Sequence, residues 1–287
     1  LFLLMGNFAA AAGLSGDLYR LAQAFLGHRK GGLAMATVAT CAGFGAVCGS
    51  SLATTATMTR IALPEMESRG YSRRLSTGSI AAGSTLGVIV PPSVLLVLYA
   101  ILTEQFVTAL FVAALGPALI AVILYLLSVV AYVTVSPNSG PAAERVAWPE
   151  RRSVLKQSWG VVFLAFVVSG GIYSGIFTIN EAAAVGASVA IAFTAFRGRL
   201  SRRLFFDNLR ETAASTALIY LIIIGASIFS YAISLSQLPD IIVGSIEGLG
   251  LQPLVVILLL EAMYIVLGSI FDTVAAMVIT LPFVFTL

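Results

Sequence analysis

The chain has 287 residues, 59% of them hydrophobic and only 10% charged, with a formal net charge of +3. A soluble domain carries about 25% charged residues, so a water-soluble globular protein is excluded, and the length leaves room for about eight membrane spans of roughly 20 residues. Nothing in the charge pattern suggests a nucleic-acid partner. One histidine, His28, and two cysteines, Cys41 and Cys48, exclude a zinc cluster; seven residues apart on one helix, the cysteines lie roughly 10 Å from each other, too far for a disulfide.

The chain starts without methionine in an apolar run, "LFLLMGNFAA", and stops in another, "LPFVFTL", which reads as a fragment of a longer protein missing both ends. Residues 17–28, "DLYRLAQAFLGH", have apolar positions at helical spacing and contain Arg20, the pattern of an interfacial helix. An apolar stretch from Gly31 follows, interrupted at residues 49–58, "GSSLATTATM". Lys30 and Arg69 flank this stretch on the same side, so it predicts a hairpin re-entering the membrane with its tip at Gly49 and Ser50. Two full spans joined by an outside loop are the alternative, since residues 31–48 would reach about 27 Å as a helix. Residues 84–93, "STLGVIVPPS", predict a broken helix: Pro91 and Pro92 lack N–H groups and free carbonyls around Gly87 to Val90. A plain proline kink is the other reading.

From Arg74 one crossing leads outward to Thr103–Gln105, residues 106–135 return, and "SPNSGPAAERVAWPERRS" forms a polar linker. Residues 159–177 lead out to "TINE", residues 182–196 return to the Arg-rich "RGRLSRRLFFDNLR", and residues 212–236 lead out again. In this threading all lysines and arginines except Arg20 and Arg60 fall in four clusters on the cytoplasmic side, as the positive-inside rule requires. Glu104, Glu181 and Glu247 fall at outside ends. "SRRLFFDNLRE" reads as the second interfacial helix.

After a polar outside stretch the phrase of residues 49–58 returns as "GSIFDTVAAM", residues 268–277, in a segment approached from the opposite side. Inverted repeats with broken elements at mid-membrane are a construction of secondary transporters. The expected fold is therefore an all-α polytopic membrane protein with inverted repeats, two re-entrant helical hairpins and discontinuous helices. Residues 31–104 hold the first hairpin and broken helix, 105–135 and 157–235 scaffold and connecting helices, 136–156 the linker, and 253–287 the second hairpin.

Irregular backbone survives at membrane depth only if buried in protein or lining a wet cavity. Each tip presents helix-end carbonyls, a seat for a cation, beside helix-start N–H groups, a seat for an anion. Ser50, Ser51, Thr54 and Thr55 add hydroxyls. Asp272 is a carboxylate in a neutral apolar run, either a cation ligand or a cap for the following helix. Arg60 either holds a substrate carboxylate, or snorkels or meets Glu65.

The stretches "LMGNFAAAAGLSGDLY", "GGLAMATVATCAGFGAVCGSS", "ATMTRIALPEMESRGYSRRLSTGSIAAGSTLGVIVPPS" and "FTINEAAAVGA" resemble the large membrane subunit of the tripartite ATP-independent periplasmic (TRAP) transporters, the DctM-like proteins. Two departures from that pattern are "FTINEA" for the usual "FTPTEA" and "AAGST" for "AAGGT"; neither is expected to touch the tips. The resemblance implies a sodium-coupled importer of organic acids in the bacterial inner membrane, working by an elevator motion with a small four-helix membrane subunit and a periplasmic substrate-binding protein. Sodium would be the coupling ion, with no other cofactor. It further implies a first sodium site at Ser50, Ser51, Gly87 and Val90, and a second at Gly268, Asp272 and Thr273. Substrate would lie between the tips near Thr54, Thr55 and Thr273. A stand-alone dicarboxylate carrier or an antiporter of related architecture is the alternative. An intramembrane serine hydrolase would need a base near Ser50 or Ser51, and His28 lies roughly 30 Å down the helix.

Overall fold

The computed structural model describes residues 1–237, 241, 244, 248, 251–271 and 273–284. Among the described residues it is helical, without strands, and its contacts divide it into two units, Leu1–Leu209 and Arg210–Leu287.

In the first unit, α1 (Phe2–Ala11) and α2 (Leu14–Leu26) lead into α3 (Gly32–Cys48) and α4 (Ser51–Ser68). α3 ends because Gly49 turns left-handed, φ +62°, and its N–H closes on Gly45 O at 2.7 Å. Ser50 is extended, and its hydroxyl accepts the Ala53 N–H at 3.3 Å to start α4. A left-handed glycine and a serine N-cap thus end one helix and begin the next within two residues.

The chain then doubles back. Thr37, early in α3, donates to Met66 Sδ late in α4, and just past α4 the Tyr71 hydroxyl accepts the Leu33 N–H at 3.1 Å. Tyr71 lies in the turn after the hairpin, and burial raises its phenol above the ordinary value, so it serves as a neutral acceptor. The 17 residues of α3 span about 25 Å, short of the roughly 30 Å hydrocarbon layer, and α4 carries Arg60, Glu65 and Glu67. The pair folds back as a helical hairpin, and neither arm has the combined length and apolar composition of the spans Val107–Val135 or Ile179–Phe196.

α5 (Arg73–Ile89) runs parallel to α3 and antiparallel to α4. A Cβ built on Gly83 would lie 3.2 Å from Cys41 Sγ; one on Gly45 would lie only 2.4 Å from Gly87 Cα, so the α3–α5 crossing depends on glycine. α5 stops at Val90, which is extended, because Pro91 and Pro92 cannot donate to the helix ladder. The Ser93 hydroxyl accepts the Leu96 N–H at 3.4 Å and starts α6 (Val94–Leu102), bent 44° from α5.

α7 (Val107–Val135), 29 residues without a charge, exposes many apolar side chains, the surface of a lipid-facing span. The linker after it contains a helix that composition hides: α8 (Trp148–Gln157) starts with Pro149 in its first turn, followed by Glu150, both favourable there. It joins α9 (Trp159–Tyr173) at a 51° bend. α10 (Ile179–Phe196) begins with a capping box in which Glu181 accepts the Thr178 N–H at 2.8 Å.

The residues between α7 and α8 are stitched to the base of the hairpin. Gly31 N–H donates to Gly140 O at 2.9 Å, Ser72 N–H to Ser139 O at 2.9 Å, and Ala143 N–H to Gly27 O at 3.0 Å. A buried ionic node ties the same side together. Asp17 on α2 is 4% exposed and lies 2.5 Å from both Arg20 Nη2 and Arg197 Nη2. Its backbone carbonyl accepts Ser158 Oγ at 3.0 Å, and Arg197 Nη1 donates to Ala12 O at 2.9 Å.

α11 (Arg202–Leu235) continues into the second unit, which contains α12 (Pro253–Ile270) and α13 (Thr273–Val284). These two form a hairpin, with Tyr264 Oη 2.6 Å from Thr280 Oγ1 across it. The sequence places its tip at Gly268, but α12 runs on through Gly268 and Ser269 and stops at Phe271, whose N–H closes on Leu267 O at 2.7 Å. Ser269 spends its hydroxyl on Ile265 O inside the helix, so the break falls three residues later than in the first copy. Among the described residues α7, α10, most of α11 and α12 are each long and apolar enough to cross a membrane; the bent pairs α5/α6 and α8/α9 qualify as broken spans.

Candidate functional site

Two irregular backbone segments of the first unit meet. A Cβ on Gly49, at the hairpin tip, would lie 3.0 Å from Val94 N and 3.2 Å from Pro92 O, so the tip abuts the α5/α6 break. A Cβ on Gly87 would lie 2.9 Å from Thr54 Oγ1 and 3.1 Å from Ser50 O. Ser50, Thr54 and Gly87, named from the sequence, are therefore direct neighbours. Val90 closes α5 at the same break, its N–H donating to Leu86 O at 2.9 Å.

The oxygen atoms at this junction are not equally available. Ser50 O accepts the Thr54 hydroxyl at 2.7 Å and the Thr54 N–H at 3.1 Å, so its lone pairs serve the tip itself. Gly87 and Val88 stand four residues before Pro91 and Pro92, and their carbonyls lack the N–H donors a continuous helix supplies. The Ser51 hydroxyl is half-buried and has no partner among the described residues. At the start of α4 the N–H groups of Ser51 and Leu52 precede the first intrahelical bond. The junction thus offers two freed carbonyls, a hydroxyl and two amide donors close together, partners for a small cation and for a carboxylate.

Two contacts escape a reading of the sequence. Cys48, a buried free thiol, lies 3.1 Å from Thr54 Oγ1 and 3.5 Å from Ser50 O. Thr55 Oγ1, which donates to Ser51 O at 2.8 Å, lies 2.6 Å from Ser84 Oγ on α5. Ser84 is the serine of "AAGST"; it stays off the Gly49–Ser50 tip itself but meets α4 one turn farther on, at Thr55. Because α5 runs antiparallel to α4, one turn back from Gly87 brings Ser84 level with Thr55. A hydroxyl among small residues was the available signal, but only the direction of packing gives it a partner.

Arg60 stands exposed on α4, and the Glu65 pairing open to it in the sequence is not made. Glu65 Oε1 instead accepts Arg69 Nε at 2.8 Å and Gln23 Nε2 at 3.2 Å. In the second unit Gly268 lies in the last turn of α12 and Thr273 is the first residue of α13. Asp272, expected as a sodium ligand, lies outside the described residues.

Comparison with known proteins adds an independent finding. Residues 1–287 match the family described as the DctM component of the tripartite ATP-independent periplasmic transporter. The chain is 35% identical to the C4-dicarboxylate TRAP transporter large permease protein DctM of Pseudomonas aeruginosa, over 99% of this chain and 66% of that protein. It is 28% identical to the ectoine/5-hydroxyectoine TRAP transporter large permease protein UehC of Ruegeria pomeroyi, over 98% of this chain and 66% of that protein. The sialic acid TRAP transporter large permease protein SiaM of Vibrio cholerae is also 28% identical over 98% of this chain, which again spans 66% of its length.

Proposed function

We propose, from the premise that this chain belongs to the DctM family of tripartite ATP-independent periplasmic transporters, that it is the sodium-coupled, substrate-carrying part of a large permease subunit. Its cargo is an organic acid brought by a periplasmic binding protein, and a small membrane subunit completes the transporter in the inner membrane. The observation that carries the reading is the meeting of the Gly49–Ser50 break with the Pro91–Pro92 break across Gly87. Membrane-depth backbone irregularities need a polar partner, and here two of them share one place.

In this mechanism sodium is held by carbonyls of the Gly87 to Val90 turn with the hydroxyls of Ser50 and Ser51. A second ion takes the other tip, at Gly268, Asp272 and Thr273. Filling the first seat draws the α5 break and the tip of α4 together and aims the N–H groups of Ser51 and Leu52, with Thr54 and Thr55, at a substrate carboxylate. Arg60 is the cation α4 can offer it, and Thr273 is the corresponding hydroxyl residue at the start of α13 in the second copy. The first hairpin then travels past fixed helices, an elevator motion. A membrane potential of 100 mV contributes about 2.3 kcal/mol per net charge carried, so two or more sodium ions per anion would use it. The named relatives support the carboxylate class, since C4-dicarboxylates, ectoine and sialic acid all bear a carboxylate.

The test is uptake of a C4-dicarboxylate, an ectoine and a sialic acid into proteoliposomes holding the full-length protein with its small subunit and binding protein. A sodium gradient is expected to drive uptake, with Ser51→Ala and Asp272→Ala each raising the sodium concentration for half-maximal rate at least tenfold. Unchanged sodium dependence in both variants would refute the site, and uptake without any binding protein would favour a stand-alone carrier.

A further inference from the structure

Between α5 and α7, away from the hairpin tip, lies a groove of about 240 Å³. Small residues hollow it out: Gly78, Ser79 and Ala82 on α5 face Val129 and Tyr132 on α7, with Arg74 at its mouth. A Cβ on Gly78 would meet nothing within 4 Å. From Arg74 to Ala82 the groove runs about 12 Å along the helix, most of the roughly 15 Å depth of one leaflet. Tyr125 lines its far end, where its hydroxyl lies 3.2 Å from Thr85 Oγ1. Arg74 belongs to the basic cluster at the cytoplasmic interface. Its neighbour Arg73 faces Glu67 at 4.0 Å, whereas Arg74 has no ion pair or side-chain hydrogen bond among the described residues. Tyr132, 40% exposed, lines the groove about one turn below Arg74, opposite Gly78, in the zone where amphipathic rings settle in membranes.

We propose that this groove holds one anionic phospholipid of the inner leaflet, its phosphate on Arg74 and one acyl chain against Gly78, Ala82 and Val129. The polarity runs in the order a lipid needs, with an unpaired cation at headgroup level, an aromatic ring a turn below it and apolar walls along the rest. The groove also opens beside exposed apolar side chains of α7, including Leu124 and Val130, so a lipid can reach it from the bilayer. An occupant would join α5, which carries Gly87, to α7, and would make the association of these helices depend on lipid composition.

The test is native mass spectrometry of the delipidated full-length protein, titrated with dioleoyl phosphatidylglycerol or dioleoyl phosphatidylcholine. One phosphatidylglycerol is expected to bind about fivefold more tightly than phosphatidylcholine, the factor that one arginine at an anionic surface supplies. Arg74→Gln should abolish that preference, and Gly78→Leu should remove the site for both lipids by filling the groove. Leucine is the better helix former, so the fold should persist; Ala82→Leu fills the groove from a turn deeper if it does not. Equal binding of the two lipids by wild type, or unchanged binding in the filled variants, would overturn the proposal. So would displacement of the lipid by the small membrane subunit, which would make the groove a protein interface.

Discussion

Gly87→Ala isolates the contact between α5 and the hairpin tip. The added Cβ would stand 2.9 Å from Thr54 Oγ1 and 3.1 Å from Ser50 O, where ordinary contact begins at 3.4 Å. Neither neighbour yields easily: the Thr54 hydroxyl is tied to Ser50 O at 2.7 Å, and Ser50 O is backbone. Overpacking of this kind costs about 1–3 kcal/mol, while replacing glycine by alanine inside a helix returns about 1 kcal/mol, leaving a net loss of roughly 0–2 kcal/mol. Gly78→Ala on the same helix supplies the reference, because its Cβ meets nothing within 4 Å and only the helix term, about 1 kcal/mol of stabilisation, applies. Thermal unfolding of the two delipidated variants in detergent, where no acyl chain lies against Gly78, should therefore differ by about 1–3 kcal/mol, with Gly87→Ala the less stable. Equal melting temperatures would mean that α5 and the tip are not in contact as described, and the junction would lose its physical basis.

Ser84→Ala should cost about 1 kcal/mol, the usual net worth of one hydrogen bond, and should weaken sodium-driven uptake through Thr55; Ser84→Gly should cost about 1 kcal/mol more from helix propensity. Unfolding and uptake measured on both variants separate the two contributions, and an unaffected Ser84→Ala protein would show that the contact is idle. Asp17→Asn removes the carboxylate shared by Arg20 and Arg197 and should destabilise by about 2–3 kcal/mol. That is below the 3–5 kcal/mol of a fully buried pair, because Arg20 is 60% exposed. The double variant Asp17→Asn, Arg197→Met should regain part of this loss in a melting series, and strictly additive effects would argue against the node.

Local backbone chemistry was legible in the sequence, and tertiary partnership was not. Gly49 with Ser50, and Pro91 with Pro92, announce their breaks because left-handed geometry, hydroxyl capping and missing N–H groups are properties of the residues themselves. The second tip misled for the same reason: Gly268 and Ser269 carry the signal, yet the helix absorbs both and stops at Phe271. α8 was hidden by its polar composition, although Trp148–Pro149–Glu150 forms a sound helix start. Asp17 and Arg197 lie far apart in the chain, and nothing local reports that a carboxylate will meet a guanidinium from another helix. Ser84 and Thr55 pair only once the direction of α5 against α4 is known.

The three backbone bonds that join Ser139, Gly140 and Ala143 to the flanks of the hairpin would constrain the elevator motion proposed for it. A hairpin that slid could not leave this segment behind unless Gly31, Ser72 and Gly27 all let go together. The economical course is for residues 139–143 to ride with the hairpin, so the flexing needed to free it from stationary helices is displaced outward, to the short stretches beside Ser136 and before Trp148. In that motion those two joints would set how far the hairpin could travel.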